Sequence, residues 1–159
     1  MKKLKLYLET SVWNFYFADD APELRDITLQ FFKNIEGGYF DIYISEIVLQ
    51  EIEQAAELKF KSLLELIKRY SPVELEVNPE SVILAREYIE KLVLPINSYE
   101  DALHAAISTV QEMDVLMSWN MKHLANLSRK QKINAVNVQN KYYKSIEIVT
   151  PREVADYES

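Results

Sequence analysis

Four oxygen-bearing side chains, Glu9, Glu51, Asp101 and Asn120, stand where a fold of alternating strands and helices could gather them. Carboxylates held close repel one another unless a cation lies among them. Such donors suit the hard ions Mg²⁺, Mn²⁺ or Ca²⁺. Two such ions about 3.5 to 4 Å apart can activate water and stabilise the leaving oxygen of an in-line displacement. Each residue also has a plainer reading. Asp101 in a first helical turn complements the helix dipole, worth about 0.3 to 1 kcal/mol. Asn120 between strand and helix is a natural N-cap, Glu51 fits a solvated helix face, and Glu9 can end a strand in water. His104, one turn after Asp101, reads as a hydrogen-bonded core residue, and Trp13, Phe15, Tyr16 and Phe17 read as packing.

Composition narrows the chemistry. The 159 residues are 48% apolar and 27% charged, ordinary globular usage with room for one core. Without cysteine there is no disulfide, thiolate nucleophile or Cys-based zinc site. The two glycines, Gly37 and Gly38, are adjacent and read as a turn, which removes the glycine-rich phosphate loops and the Gly-x-Ser-x-Gly nucleophile elbow. A serine hydrolase using His104 or His123 therefore has little support. No apolar run reaches the ~18 residues of a membrane span, and the start is too short in apolar residues for a signal peptide. A soluble cytoplasmic protein is expected. The net charge of −7 hides an asymmetry: residues 121–146 hold Lys122, Arg129, Lys130, Lys132, Lys141 and Lys144 and no acid, a local +6, against −13 for the remainder. The plain reading is a solvated helical surface; the other is a face that tracks a phosphate backbone.

The elements that must position these groups follow from periodicity. Leu4 to Leu8 alternates and predicts a strand, with Thr10 or Ser11 able to cap the helix after it. Pro22 to Asn34 predicts a helix, Phe40 to Ile44 a strand, and Ser45 the cap of a helix from Glu46 to about Ala56. A helix from Phe60 to Tyr70 and a short strand from Pro72 to Val77 follow. Asn78-Pro79 starts a helix to about Val93. Ser98 to Asp101 has capping-box spacing, with Asp replacing Glu, before an alanine-rich buried helix through Glu112. Val115 to Trp119 predicts a buried strand, then come short helices through Asn140, a strand at Ile146 to Val149 and a turn begun by Thr150-Pro151. Such alternation means an α/β fold with a mostly parallel sheet covered on both faces, whose ligands gather outside the C-terminal strand ends.

Four strings stand in order along this frame: Leu-Glu-Thr-Ser at 8–11, Ile-Ser-Glu-Ile-Val-Leu-Gln-Glu-Ile at 44–52, Asp-Ala-Leu-His-Ala-Ala-Ile at 101–107 and Leu-Met-Ser-Trp-Asn-Met-Lys-His-Leu at 116–124. In order and spacing they resemble the PIN domain family, most closely its VapC-like branch, the ribonuclease toxins of toxin–antitoxin pairs and their relatives. The resemblance spans nearly the whole chain and implies a single PIN-like domain over 1–159, a three-layer fold with the sheet flanked by helices.

The resemblance implies Glu9, Glu51 and Asp101 as metal ligands and catalytic groups, Asp101 and Glu9 holding the principal ion, with Asn120 at a fourth position. Thr10, Ser11 and Ser118 would support them. Two positions depart from the family pattern, which has Asp where Glu9 and Asn120 stand here. The first change moves a carboxylate outward by one methylene, and the second offers a neutral carbonyl. Both could reshape a near-octahedral Mg²⁺ site, where Mn²⁺ could serve instead. The implied activity is metal-dependent hydrolysis of RNA phosphodiester bonds, leaving a 5′-phosphate and a 3′-hydroxyl. Lys122, Arg129, Lys130 and Lys132 would hold the RNA backbone, and one of the early aromatics could stack on a base. DNA stays open as a substrate. A small antitoxin and a second copy of the chain are the implied partners. The alternative is a noncatalytic RNA- or protein-binding module with a degenerate metal site.

Overall fold

The alternating run Leu4–Leu8 forms β1, the middle strand of five. In the computed structural model, residues 2–91, 93–155 and 157 are described. After β1 come α1 (Thr10–Phe15), α2 (Pro22–Glu36), β2 (Phe40–Ser45), α3 (Glu46–Ile52), α4 (Glu57–Tyr70), β3 (Val73–Leu75) and α5 (Pro79–Glu90). Then follow α6 (Tyr99–Val110), β4 (Val115–Met117), α7 (Leu127–Gln139) and β5 (Glu147–Val149), with 3-10 turns at Ile96–Ser98 and Pro151–Val154. Every strand pair is parallel and the order is β3-β2-β1-β4-β5.

Right-handed crossovers explain how helices come to flank both faces. The chain first steps outward from β1 to β3, which assigns α1 to α4 to one face. It then crosses back past β1 to β4 and β5, which assigns α5 to α7 to the other. The packing agrees: α1, α2, α3 and α4 touch one another, and α5 packs on α6 and α7. Between them lies one cluster of buried apolar residues. Its largest members, Trp13, Tyr7, Tyr88, Phe31 and Phe32, are essentially without exposure. Each aromatic or aliphatic side chain so buried contributes roughly 1.5 to 3 kcal/mol. Trp13 is therefore packing, as its type suggested, and Phe15 and Tyr16 lean on Trp119 and Phe32.

Local signals were mostly read correctly. Ser45 caps α3 by accepting from Ile47 N–H at 3.2 Å, Asn78 caps α5 through Ser81 N–H at 2.9 Å, and Gly38 takes a left-handed φ of 82° in the turn before β2. Four expectations need correction. Glu9 itself, in extended backbone, occupies the cap position of α1, so Thr10 and Ser11 lie in its first turn and spend their hydroxyls elsewhere. Ser98 sits in a 3-10 turn and makes no side-chain cap, because its φ of −109° and ψ of 32° are not the extended backbone of an N-cap, and Asp101 pairs with Asn120 instead of reaching back. The capping box that does form is Thr150 with Glu153. Finally, β4 ends at Met117 and α7 is one continuous helix, capped by Asn126 through Arg129 N–H at 2.9 Å. At α5 the helix stops at Glu90 and position 92, within the expected span, lies outside the described residues.

Candidate metal centre

The strand order reverses between β1 and β4, and in an open parallel sheet ligands gather in the crevice outside the C-terminal strand ends at such a point. Glu9 leaves β1 there, its N–H bonded to Met117 carbonyl of β4 at 3.0 Å. Its side chain is 5% exposed, and one oxygen, Oε1, accepts from Ser11 Oγ at 2.5 Å and Ser118 Oγ at 2.7 Å. Both hydroxyls are themselves fixed, Ser11 by Trp119 N–H at 2.8 Å and Ser118 by Asn120 N–H at 2.9 Å.

Glu51, in the last turn of α3, reaches the same crevice from the β2 side. Its Oε1 accepts from Thr10 Oγ1 at 2.7 Å and from His104 Nε2 at 2.5 Å. Burial works to raise the Glu51 carboxyl, but the hydrogen bond and charge of His104, with the Thr10 bond, hold it below its ordinary value. Asp101, in the first turn of α6, accepts from Asn120 Nδ2 at 3.2 Å through Oδ2. Burial, then the negative charge of Glu9 and Glu51, push Asp101 up to about 6.

In all three acids a single oxygen carries every hydrogen bond, and the second has no partner among the described residues. Those second oxygens reach solvent, because the one fully buried side-chain polar atom without a partner among the described residues is His123 Nδ1. The fold thus uses one edge of each carboxylate for orientation and leaves the other open to the crevice. That donor set fits a hard divalent cation. Ligand atoms of Glu9, Glu51 and His104 lie within 4.8 Å of one another. Asp101 is outside that tightest group, although it feels both glutamates electrostatically.

The Asn120 side-chain oxygen accepts from His123 N–H at 3.0 Å, capping the turn after β4, and its amide nitrogen faces Asp101. Thr10, Ser11 and Ser118 all touch the acids, Thr10 through Glu51 and the serines through Glu9. The pairing that sequence reasoning missed is His104 with Glu51. A histidine on an alanine-rich helix, with a tyrosine among the leucines of β1, was the signal that could have found it.

The basic stretch is less uniform in space than in sequence. Arg129 donates to Val93 carbonyl. Lys130 pairs with Glu147 at 3.1 Å and Lys144 with Asp114 at 2.9 Å, acids that lie outside 121–146. Lys122 and Lys132 are exposed.

The PIN domain family model matches residues 6–120, from β1 through Asn120. The chain belongs to the PIN domain family. Glu9, Glu51, Asp101 and Asn120 all fall inside the match, and the basic residues from Lys122 onward fall beyond it. PIN domains are generally nucleases that use divalent metals. Among solved structures, the fold is similar to that of a chain in VapBC2 from Rickettsia felis, whose crystal structure was determined bound to a DNA fragment from their promoter. The TM-score is 0.57 at 16% identity, over 92% of this chain and 98% of that one. No curated protein matches the chain. No helix among the described residues is long and apolar enough to cross a membrane.

Proposed function

We propose that this PIN domain is a divalent-metal-dependent endoribonuclease, the toxin of a toxin–antitoxin pair. The observation that carries the reading is the set of three carboxylates at the sheet reversal, each oriented through one oxygen and open through the other. Membership in a nuclease family and a fold shared with a VapBC2 chain support it. Glu9, Glu51 and Asp101 would hold Mg²⁺ or Mn²⁺. When bound, the cation would activate water and offset the charge that builds on the phosphate and leaving oxygen.

The chain's own groups do the rest. Ser11 and Ser118 fix Glu9, Thr10 fixes Glu51, and Asn120 holds Asp101; direct ligation by Asn120 would use the second lone pair of the oxygen that accepts from His123 N–H. Lys122, Arg129, Lys130 and Lys132 would position the RNA backbone, Lys122 and Lys132 being exposed and Lys130 having to leave Glu147. In the hydrolysis a bond forms from water oxygen to phosphorus and the bond from phosphorus to the 3′ oxygen breaks, leaving a 5′-phosphate and a 3′-hydroxyl. None of the side chains at the crevice needs to become covalently attached. A cytoplasmic location, a homodimer and a small antitoxin partner belong to the same reading.

The deciding experiment is cleavage of a mixed, partly single-stranded RNA pool with Mn²⁺ or Mg²⁺ by wild type and by Asp101→Asn matched in thermal stability. Expected is cutting that EDTA abolishes and that Asp101→Asn reduces by about a hundredfold or more, beyond the ~10- to 100-fold typical of losing an outer-shell partner. Wild type that cuts nothing with either metal, freed of any copurifying partner, overturns the reading. The neutral amide of Asn120, directed at Asp101 in place of a fourth carboxylate, is the observation that favours the alternative, a noncatalytic RNA- or protein-binding module. RNA binding unchanged by EDTA, without cutting, would establish it.

A further inference from the structure

Buried inside the crevice wall is a chain of hydrogen bonds that ends on Glu51. Ile47 N–H donates to Ser45 Oγ at 3.2 Å, Ser45 Oγ meets Tyr7 Oη at 2.7 Å, and Tyr7 Oη meets His104 Nδ1 at 2.6 Å. His104 Nε2 then meets Glu51 Oε1. Ser45, Tyr7 and His104 are each 0% exposed.

The direction of hydrogen bonding is fixed at both ends of the chain. Ile47 N–H can only donate, so Ser45 Oγ accepts there and its own proton is free for Tyr7. An ionised Glu51 can only accept, so His104 donates through Nε2–H. With that nitrogen carrying the proton, a neutral His104 accepts at Nδ1 from Tyr7. A charged one, opposed by burial but favoured by the Glu51 hydrogen bond and the nearby carboxylates, donates from both nitrogens and turns the Tyr7 hydroxyl toward Ser45. In either arrangement His104 donates Nε2–H to Glu51 and both ring nitrogens are satisfied. Both nitrogens of His104 are engaged, so His104 has none left for a cation, although it lies in the tight group with Glu9 and Glu51. Four elements meet in this chain: β1 through Tyr7, β2 through Ser45, α3 through Glu51 and α6 through His104. The helix whose N-terminus starts it also carries the glutamate at its end.

We infer that His104 is a positioning residue, held at Nδ1 by Tyr7 and Ser45, whose Nε2–H fixes Glu51 and leaves its second oxygen free for the cation. The inference rests on the metal-nuclease reading and adds to it a residue that touches neither metal nor substrate. Such outer partners typically set metal affinity by about 10- to 100-fold.

The test compares Mn²⁺ affinity by calorimetry in wild type, His104→Leu, His104→Gln and Tyr7→Phe, with thermal unfolding of each metal-free protein. Glutamine can present an N–H where Nε2–H stands, and leucine cannot. Expected is about tenfold or more weaker Mn²⁺ binding in His104→Leu, with most of the affinity restored in His104→Gln. Nitrogen-15 spectra of the wild type should show His104 protonated at Nε2, and Tyr7→Phe, which takes away the partner of Nδ1, should shift the Nδ1 resonance and bind Mn²⁺ more weakly. Should leucine prevent folding at this buried position, Tyr7→Phe and His104→Gln carry the test alone. Wild type that binds Mn²⁺ with His104→Leu and Tyr7→Phe unchanged overturns the inference and leaves the metal reading intact. Equal losses in His104→Leu and His104→Gln, tracking lost stability, also overturn it. Wild type that binds no Mn²⁺ overturns the metal reading and the inference with it.

Discussion

Burial and the charges of Glu9 and Glu51 hold Asp101 at about 6, against an ordinary 3.8, and this fixes the sign of a pH effect. As pH rises from 3.8 toward 6 the unfolded chain gives up this proton before the folded one does. Metal-free protein therefore loses stability from this group across that window, with no further change above it. Urea unfolding at a series of pH values should show the decline in wild type and its absence in Asp101→Asn. Added Mn²⁺ should reverse it above pH 6, since binding to the folded state alone stabilises that state. Ser118 supplies a second test at this scale. It donates to Glu9 and accepts from Asn120 N–H, so Ser118→Ala removes one partner from each. Expected are a stability loss of about 1 kcal/mol, read from denaturant unfolding, and Mn²⁺ binding weakened about tenfold, read by calorimetry.

The elements bring these residues together through their ends. Glu9 terminates β1, Asp101 opens α6, Glu51 closes α3, and Ser118 to Asn120 leave β4. The turn after β4 is held from its far side by Asn126, which caps α7 and also donates to the carbonyls of Met121 at 2.8 Å and Lys122 at 3.1 Å. Asn126→Ala should cost about 1 kcal/mol from the cap. That corresponds to a melting midpoint lower by roughly 2 to 4 °C, measurable by calorimetric scanning. The contrast between Ser98 and Thr150 is instructive at this level. Both have the hydroxyl and an acid three residues on, yet only Thr150 forms the box, at 2.9 Å from Thr150 N–H to Glu153. At Ser98 the acid is Asp101, whose carboxylate is drawn to Asn120 across the crevice.

For the whole molecule, a net charge of −7 opposes approach of a polyanion, so the proposed binding of RNA would have to rely on a local exception. Within the basic stretch, exposed Lys122 and Lys132 are the groups to test, since Lys130 and Lys144 are paired with Glu147 and Asp114. Substituting Lys122 and Lys132 by glutamine should weaken RNA binding across sequences. The slope of log affinity against log salt should become shallower by about 0.7 for each single-strand phosphate that a lysine no longer neutralises. Fluorescence polarisation at several salt concentrations measures both. An unchanged slope would place the RNA path elsewhere on the surface.

The sequence by itself determined the alternation of strands and helices, because periodicities of two and near 3.6 are written into where apolar residues fall. It also favoured oxygen donors for any metal, through the absence of cysteine and the rarity of histidine. Ser45 and Asn78 were legible as caps because capping is local, spanning three residues. Only the tertiary structure decided that Asp101 comes near enough to Glu9 and Glu51 to feel their charge, since strand order depends on long-range pairing. It alone showed that Asn120 donates to Asp101, that Thr10 and Ser11 hold acids rather than cap a helix, and that acids outside the basic stretch neutralise part of it. His104 read correctly as a hydrogen-bonded core residue, but its partners, Tyr7 and Glu51, lie 97 and 53 positions away. Hydrogen bonds between side chains so distant in sequence depend on burial and on the register of neighbouring elements, and neither is set by any short stretch of chain.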